Sequence, residues 1–459
     1  FPLLVEVLGR LEHAALLECA LVSRRWREAA FDPALWASFA PNACDFAPGE
    51  EPRWVEWCAR KFKKVRRVNL QDSGLESVDR AVETLAAAWP QLEEAVLNFT
   101  DASDDSLVAL GAHCPGLRAV HLACCPVSQV GLSAIARAPV RTLRLSYCQL
   151  GDLGGAEGLP GLLGSWGGLT SVDLDGVMGV DDDVIASLVE SCPLLTAVRL
   201  DGADLTDRAI STLSRGLPAL DTLGLSFGEH LSDNGAQYIA SFECLKTLRV
   251  RKGELITDMG FMRMFEAMKM TSSVWPEERG APPLQPSDHG TAKACVDPMM
   301  ATCLGRSRSR AGSPGPQPDG GWARRSPRCT SIEDLDLSEC HGLKDRGITA
   351  LAAACGRLRR LDVSWCWDFT DTGGRAVFSG MCPLLEDVNL TGCEELTDAI
   401  LDGAPRGTPK LKSLVTKGCS FISDGALRRL VAELPGCVAT NYYEVSISAA
   451  NGGGAGGLT

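Results

Sequence analysis

The chain has 459 residues, with 45 basic against 58 acidic side chains for a net charge of −13, and 6% of it is aromatic. That acidic balance and the scarcity of stacking rings speak against a nucleic-acid binder, and no apolar run approaches the ~20 residues that span a bilayer. The length is ample for a continuous core, and the 19 cysteines raise a question of disulfides or metal that their positions answer.

The chain opens Phe1-Pro2-Leu3-Leu4-Val5-Glu6-Val7-Leu8-Gly9-Arg10-Leu11. Pro at a first helical turn, with apolar residues after it at helical spacing, predicts a short helix. A second segment, Ala14 to Glu18, leads into Ala20-Leu21-Val22-Ser23-Arg24-Arg25-Trp26-Arg27, and Asp32-Pro33-Ala34-Leu35-Trp36 comes next. Glu6, Arg10, Glu12 and Glu18 exclude a signal peptide. Three short helices in about 40 residues fall below the size at which a core stabilises itself, so the segment must lean on a neighbour.

In the order and spacing of these four pieces, the segment resembles the F-box. The resemblance implies that the obligate partner is the small adaptor of SCF-type cullin–RING ubiquitin ligases and, through it, a cullin. It carries adaptor contacts onto Pro2, Leu8, Leu11, Leu16, Leu21, Val22 and Trp26. Pro2, Leu8 and Leu16 are expected on the partner face; Leu11, Leu21 and Trp26 also suit an internal core. The family has Leu before the Pro where this chain has Phe1, and there is no initiator Met, so a fragment is expected at this end.

Residues 41–64 are expected to join this F-box (1–40) to a second, repetitive region. Trp54, Trp57, Cys58 and Phe62 stand at near-helical spacing and predict a helix packing one part against the other. The basic run from Arg60 to Arg67 reads as a solvated helix face leading into a strand.

From residue 65 a unit of roughly 26 residues recurs. Its clearest copies run from Ile332 to Cys340, Leu358 to Cys366, Leu385 to Cys393 and Leu411 to Cys419. Each has the form L-x-x-L-x-L-x-x-C, then Thr/Ser/Lys-Asp and an amphipathic run. That period and leucine spacing mark a leucine-rich repeat. Looser copies begin at Val65, Leu92, Leu117, Val140, Leu169, Leu195, Leu220 and Leu245. Asp345, Asp371, Asp398 and Asp424 fall at expected helix starts, where a carboxylate caps well. The fold class is therefore α/β: a solenoid with parallel strands inside and helices outside, preceded by a three-helix F-box. Repeats are expected over 65–269 and 329–435, with a cap strand and a Gly-rich flexible tail over 436–459. Residues 149–168 are Gly-rich and predict an irregular convex segment. The cysteine-containing repeats after an F-box resemble the F-box/leucine-rich-repeat family.

Cys148, Cys340, Cys366, Cys393 and Cys419 share one repeat position, while Cys114, Cys192, Cys329, Cys355 and Cys382 share another. Recurrence of this kind marks core-filling positions, with no zinc-type CxxC pair, and predicts a reducing compartment. Between 270 and 328 the repeat stops in a Pro-, Ser-, Gly- and Arg-rich stretch with too little apolar surface to offset ordering entropy. It is expected to be a disordered insertion in the loop from one helix to the next strand, read as a tolerated expansion or a gene-model artefact, with a phosphorylated switch or a flexible docking arm as the functional alternative.

No catalytic, metal or cofactor motif appears, and Asp181-Asp182-Asp183 falls at a helix cap, so an enzyme is not expected. The residue between the two central leucines of each repeat faces the concave side. This row runs His121, Arg144, Asp173, Arg199, Gly224, Arg249, Asp336, Asp362, Asn389. Arg249 and Arg251 next to Asp336 and Asp362, with Trp365 and Trp367 as aromatic anchors, form the expected target-binding patch, suited to an acidic or phosphorylated segment. The family resemblance implies the substrate receptor of an SCF-type ligase in the cytoplasm or nucleus. A repeat scaffold without ubiquitin transfer is the alternative.

Overall fold

The computed structural model describes residues 2–41, 50–150, 159–202, 204–226, 230–270 and 331–449. The expected insertion beyond Met270, Cys329 and the tail from 450 lie outside the described residues.

Three helices, α1 (Pro2–Leu8), α2 (His13–Val22) and α3 (Arg24–Ala30), begin the chain. Ser23 ends α2 with extended backbone, and its hydroxyl accepts from the Trp26 amide, so one residue breaks α2 and caps α3. Leu8, Leu16, Ala20, Ala29 and Ala30 form their common interior. A fourth helix, α4 (Glu51–Lys61), carries Trp54 and Cys58.

Among the described residues one sheet of 15 strands runs in strict sequence order. They are β1 (Ser38–Phe39), β2 (Arg67–Asn69), β3 (Glu94–Val96), β4 (Ala119–His121), β5 (Thr142–Arg144), β6 (Ser171–Asp173), β7 (Ala197–Arg199) and β8 (Thr222–Ser226). The rest are β9 (Thr247–Arg251), β10 (Asp334–Asp336), β11 (Arg360–Asp362), β12 (Asp387–Asn389), β13 (Ser413–Val415), β14 (Val438–Thr440) and β15 (Ser446–Ser448). All pairings from β1 to β14 are parallel, and β15 turns back antiparallel to close the end. β9 pairs directly with β10, Arg249 opposite Asp336, so the stack continues across the sequence between them. The second residue of each of these strands points into the core: Leu143, Leu223, Leu248, Leu335 and Leu414 are fully buried. This is the alternation of a strand with one face on a core.

The sheet starts earlier than the repeat pattern does. β1 pairs with β2, and α4 packs on the helix Val78–Ala88. β1 and α4 thus supply the strand and helix of an incomplete first repeat, where a linker helix alone was expected. A two-residue strand is too short to register as a period.

Two ladders tie repeat to repeat. In the first, the Asp at the start of one helix caps the next helix. Asp345 accepts from Thr370 N at 2.8 Å, Thr370 Oγ1 at 2.9 Å and Gly373 N at 2.9 Å. Asp79, Asp104, Asp182, Asp207, Asp233, Asp258, Asp371 and Asp398 do the same along the stack. Glu51 in α4 takes this role for the Glu76 amide at 2.6 Å. The expected caps are therefore corrected in detail: Thr370, Thr397 and Ser423 cap their own helices, and the Asp after each serves its neighbour's side of the joint. Asp181 caps its own helix and Asp182 joins the ladder.

In the second ladder each repeat cysteine donates its thiol to a carbonyl of the preceding strand's end. Cys148 reaches Leu122 O at 2.9 Å, Cys340 Val250 O at 3.0 Å, Cys366 Leu337 O at 3.2 Å and Cys419 Leu390 O at 3.0 Å. All described cysteines are free. Burial pushes the Cys340 thiol up to about 12 and Cys419 up to about 11, so these thiols are inert packing groups.

Of the expected irregular segment 149–168, residues 151–158 lie outside the described residues; beyond them Leu159–Leu163 is helical and Gly164–Trp166 a 3₁₀ turn. Leu163 and Trp166 fill the helix layer there, and Cys192 donates to the carbonyls of both. Tertiary burial overrides the local glycine content.

Candidate functional site

The first surface is on the N-terminal helices. Leu3, Val7, Leu11, Leu21 and Val22 are exposed, Leu21 to 78% and Leu3 to 73%. Pro2 is exposed beside them, while Trp26 is half-buried against the core. These large apolar side chains stand in the solvent together over some twenty residues, more than the singly scattered exposed apolar residues of an ordinary surface. Leu8 and Leu16, expected on that face, are 1% and 2% exposed and belong to the interior. α1 is apolar at every position but Glu6, so spacing alone does not say which stripe turns inward.

This face is held firmly to the sheet. Trp36 stacks on Phe62 with centroids 3.9 Å apart, and Phe39 meets Trp89 edge-on at 5.2 Å. Trp36 Nε1 donates to Ala30 O at 2.7 Å. The basic run is solvated and locally paired: Arg60 with Glu56, Arg66 with Glu93 and Arg67 with Glu94.

The second surface is the concave face of the sheet. The predicted row is in register throughout, from His121 opposite Arg144 to Asp362 opposite Asn389. Asp173 takes Arg144 at 3.1 Å and lies 3.9 Å from Arg199. Two residues further along, Asp175 accepts from the Asp201 amide. Burial, with Asp173 and Asp201 nearby, pushes its carboxyl up to about 7.

The expected patch is only partly assembled. Arg251 donates to Ser338 Oγ at 2.9 Å and lies 3.6 Å from Glu339. Asp336 and Asp362 instead accept from Ser338 and Ser364 of their own repeats, and Asp362 also from Asn389. Burial raises the Asp336 carboxyl, offset by its Ser338 bonds. Trp365 and Trp367 are exposed but sit in the turn after β11, beyond the row itself. Trp367 packs tilted against His341, ring centroids 4.4 Å apart. Trp365, at φ +61°, lies over Gly392, where an added Cβ would come within 2.5 Å of its ring. The left-handed turn repeats along this edge and also presents Phe99 and Tyr147 to solvent. Sequence reasoning named Trp365 and Trp367 but missed Phe99 and Tyr147, because φ is not written in leucine spacing.

Comparison with known proteins decides between architectures. The F-box-like family matches residues 2–41, and the leucine-rich-repeat family matches 113–136, 138–157, 328–352 and 358–378. The chain thus carries an F-box-like segment followed by leucine-rich repeats. A curated relative, F-box/LRR-repeat protein 4 of Bos taurus, is 30% identical over 108 residues, 23% of this chain. The match spans 17% of that relative's length. Rad7, solved in a Rad7–Elc1 complex from yeast, superposes with a TM-score of 0.57 at 15% identity over 93% of this chain and 92% of its own, a likeness of fold. The exposed apolar face lies within the F-box match, and the concave row within the repeats. Among the described residues no helix is long and apolar enough to cross a membrane, and no group of three acidic, His or Cys side chains is placed to hold a metal.

Proposed function

We propose that this F-box/leucine-rich-repeat chain is the substrate-recognition subunit of an SCF-type ubiquitin ligase. Its F-box docks the adaptor, and through it a cullin, while the concave face of the repeats holds a target protein. The observation that carries this reading is the exposed face of Pro2, Leu3, Val7, Leu11, Leu21 and Val22, set on a sheet that continues from β1 without a break. The role asks the chain for geometry and not for chemistry. A target must be held at a fixed place relative to the adaptor, and the Trp36–Phe62–Phe39–Trp89 joint makes the F-box and the first repeats one packed unit. Rad7, whose fold is shared, was itself crystallised with a partner protein, Elc1.

The test is depletion of the protein with proteome-wide measurement of turnover. Proteins that bind the repeats should persist longer when the chain is absent. Binding to the adaptor with no change in the lifetime of any bound protein would instead favour a scaffold.

A further inference from the structure

Along most of the concave face the polar side chains satisfy one another. Arg67 meets Glu94, Arg144 meets Asp173, Arg360 meets Asp334, and Asp362 meets Asn389. Strands β7 to β9 are different. Three buried polar atoms lack a hydrogen-bond partner in three consecutive repeats: Asp201 Oδ1, Ser226 Oγ and Arg249 Nε. Ser226 is itself 2% exposed. Buried donors and acceptors are nearly always paired, so such a run of orphans calls for an explanation.

Gly224 lies at the centre of this region, between Arg199 and Arg249 in the row. With no side chain of its own it leaves a low point in the row, a notch over which the stem of Arg199 leans to within 3.3 Å of where a Cβ would stand. Resting on the receptor reading above, we propose that this notch takes one carboxylate of an extended target segment. The carboxylate sits over Gly224 between the two guanidinium groups, and a backbone N–H of the same segment donates to Asp201. Adjacent strands are ~4.8 Å apart and residues rise ~3.3 Å along a strand. Asp201 and Arg249 are therefore about 12 Å apart on the diagonal, the reach of three to four residues of extended chain.

A carboxylate fits better than a phosphate. Asp173 stands opposite Arg199, and Asp175 accepts from the amide of Asp201 two residues beyond Arg199; burial beside these acids already raises the Asp175 carboxyl. A second negative charge would meet that field at close range.

The experiment uses immobilised seven-residue peptide libraries, random except for a central Asp, Asn, Lys or phosphoserine. Retention of the full chain is measured on each. The Asp library should retain wild-type protein about tenfold better than the Asn library, and Arg249→Met should abolish that preference. Because Arg249 Nε has no partner, Arg249→Met should leave Tm unchanged or raise it. Equal retention on Asp and Asn, a preference that survives Arg249→Met, or retention on none of the libraries would each overturn the proposal. Phosphoserine equal to or above Asp would overturn the choice of carboxylate, and a lowered Tm would make Arg249 a structural residue. Adaptor co-purification, measured on the same variant, is untouched by these outcomes and reports on the receptor reading separately.

Discussion

Replacing Asp345 tests the joint that makes this chain one stack. Its carboxylate accepts two bonds from Thr370 and one from Gly373, residues one repeat further on. In Asp345→Ala the Thr370 groups are exposed and find water, at a cost near that of a lost cap, about 1 kcal/mol. The Gly373 amide belongs to a buried residue and loses its Asp345 acceptor, adding about 1–2 kcal/mol. The total is about 2–3 kcal/mol. Asp345→Asn keeps Oδ1, which serves both backbone amides, and loses only the bond from Thr370 Oγ1 to Oδ2, so it should cost about 1 kcal/mol. Urea unfolding gives both values, and hydrogen exchange at Gly373 should accelerate in the Ala variant first. Equal losses for Ala and Asn, or an Ala loss under about 0.5 kcal/mol, would show that the ladder is incidental to stability.

Leu21→Asp with Val22→Asp should abolish adaptor binding without unfolding, whereas Leu8→Asp with Leu16→Asp should unfold the F-box, as both side chains are buried; circular dichroism with adaptor pull-down separates the two. Asp175→Asn should stabilise the protein by about 1–2 kcal/mol at pH 8, allowing for partial solvent screening, and by nothing at pH 4. The sign comes from a carboxyl raised from 3.8 to about 7: its ionisation penalty in the fold is absent below pH 4 and grows until pH 7. Among the described cysteines, alkylation with peptide mapping should mark Cys124 and Cys244 quickly, and Cys340, Cys366 and Cys419 only on unfolding.

The repeat strands were legible because leucine alternation and a 26-residue phase are both written in single residues, and the row from His121 to Asn389 derives from them. The inward stripe of α1 was not legible, since Leu3, Val7 and Leu8 look alike to a pattern and only packing against α3 separates them. The Asp positions were visible as helix starts, but their partners lie about 25 residues downstream and become neighbours only in the stack. The expected patch placed Arg249 with Asp336 correctly by register, and missed that Ser338 and Ser364 draw the two aspartates back into their own repeats. Partial burial and local hydroxyls decide where a carboxylate points, and neither is visible in charge order.

Co-expression of the protein with the SCF adaptor, then gel filtration, tests the central claim most directly. A one-to-one complex that survives the column and is lost in the Leu21→Asp, Val22→Asp variant is the predicted result. A folded protein that elutes free of the adaptor would contradict the account.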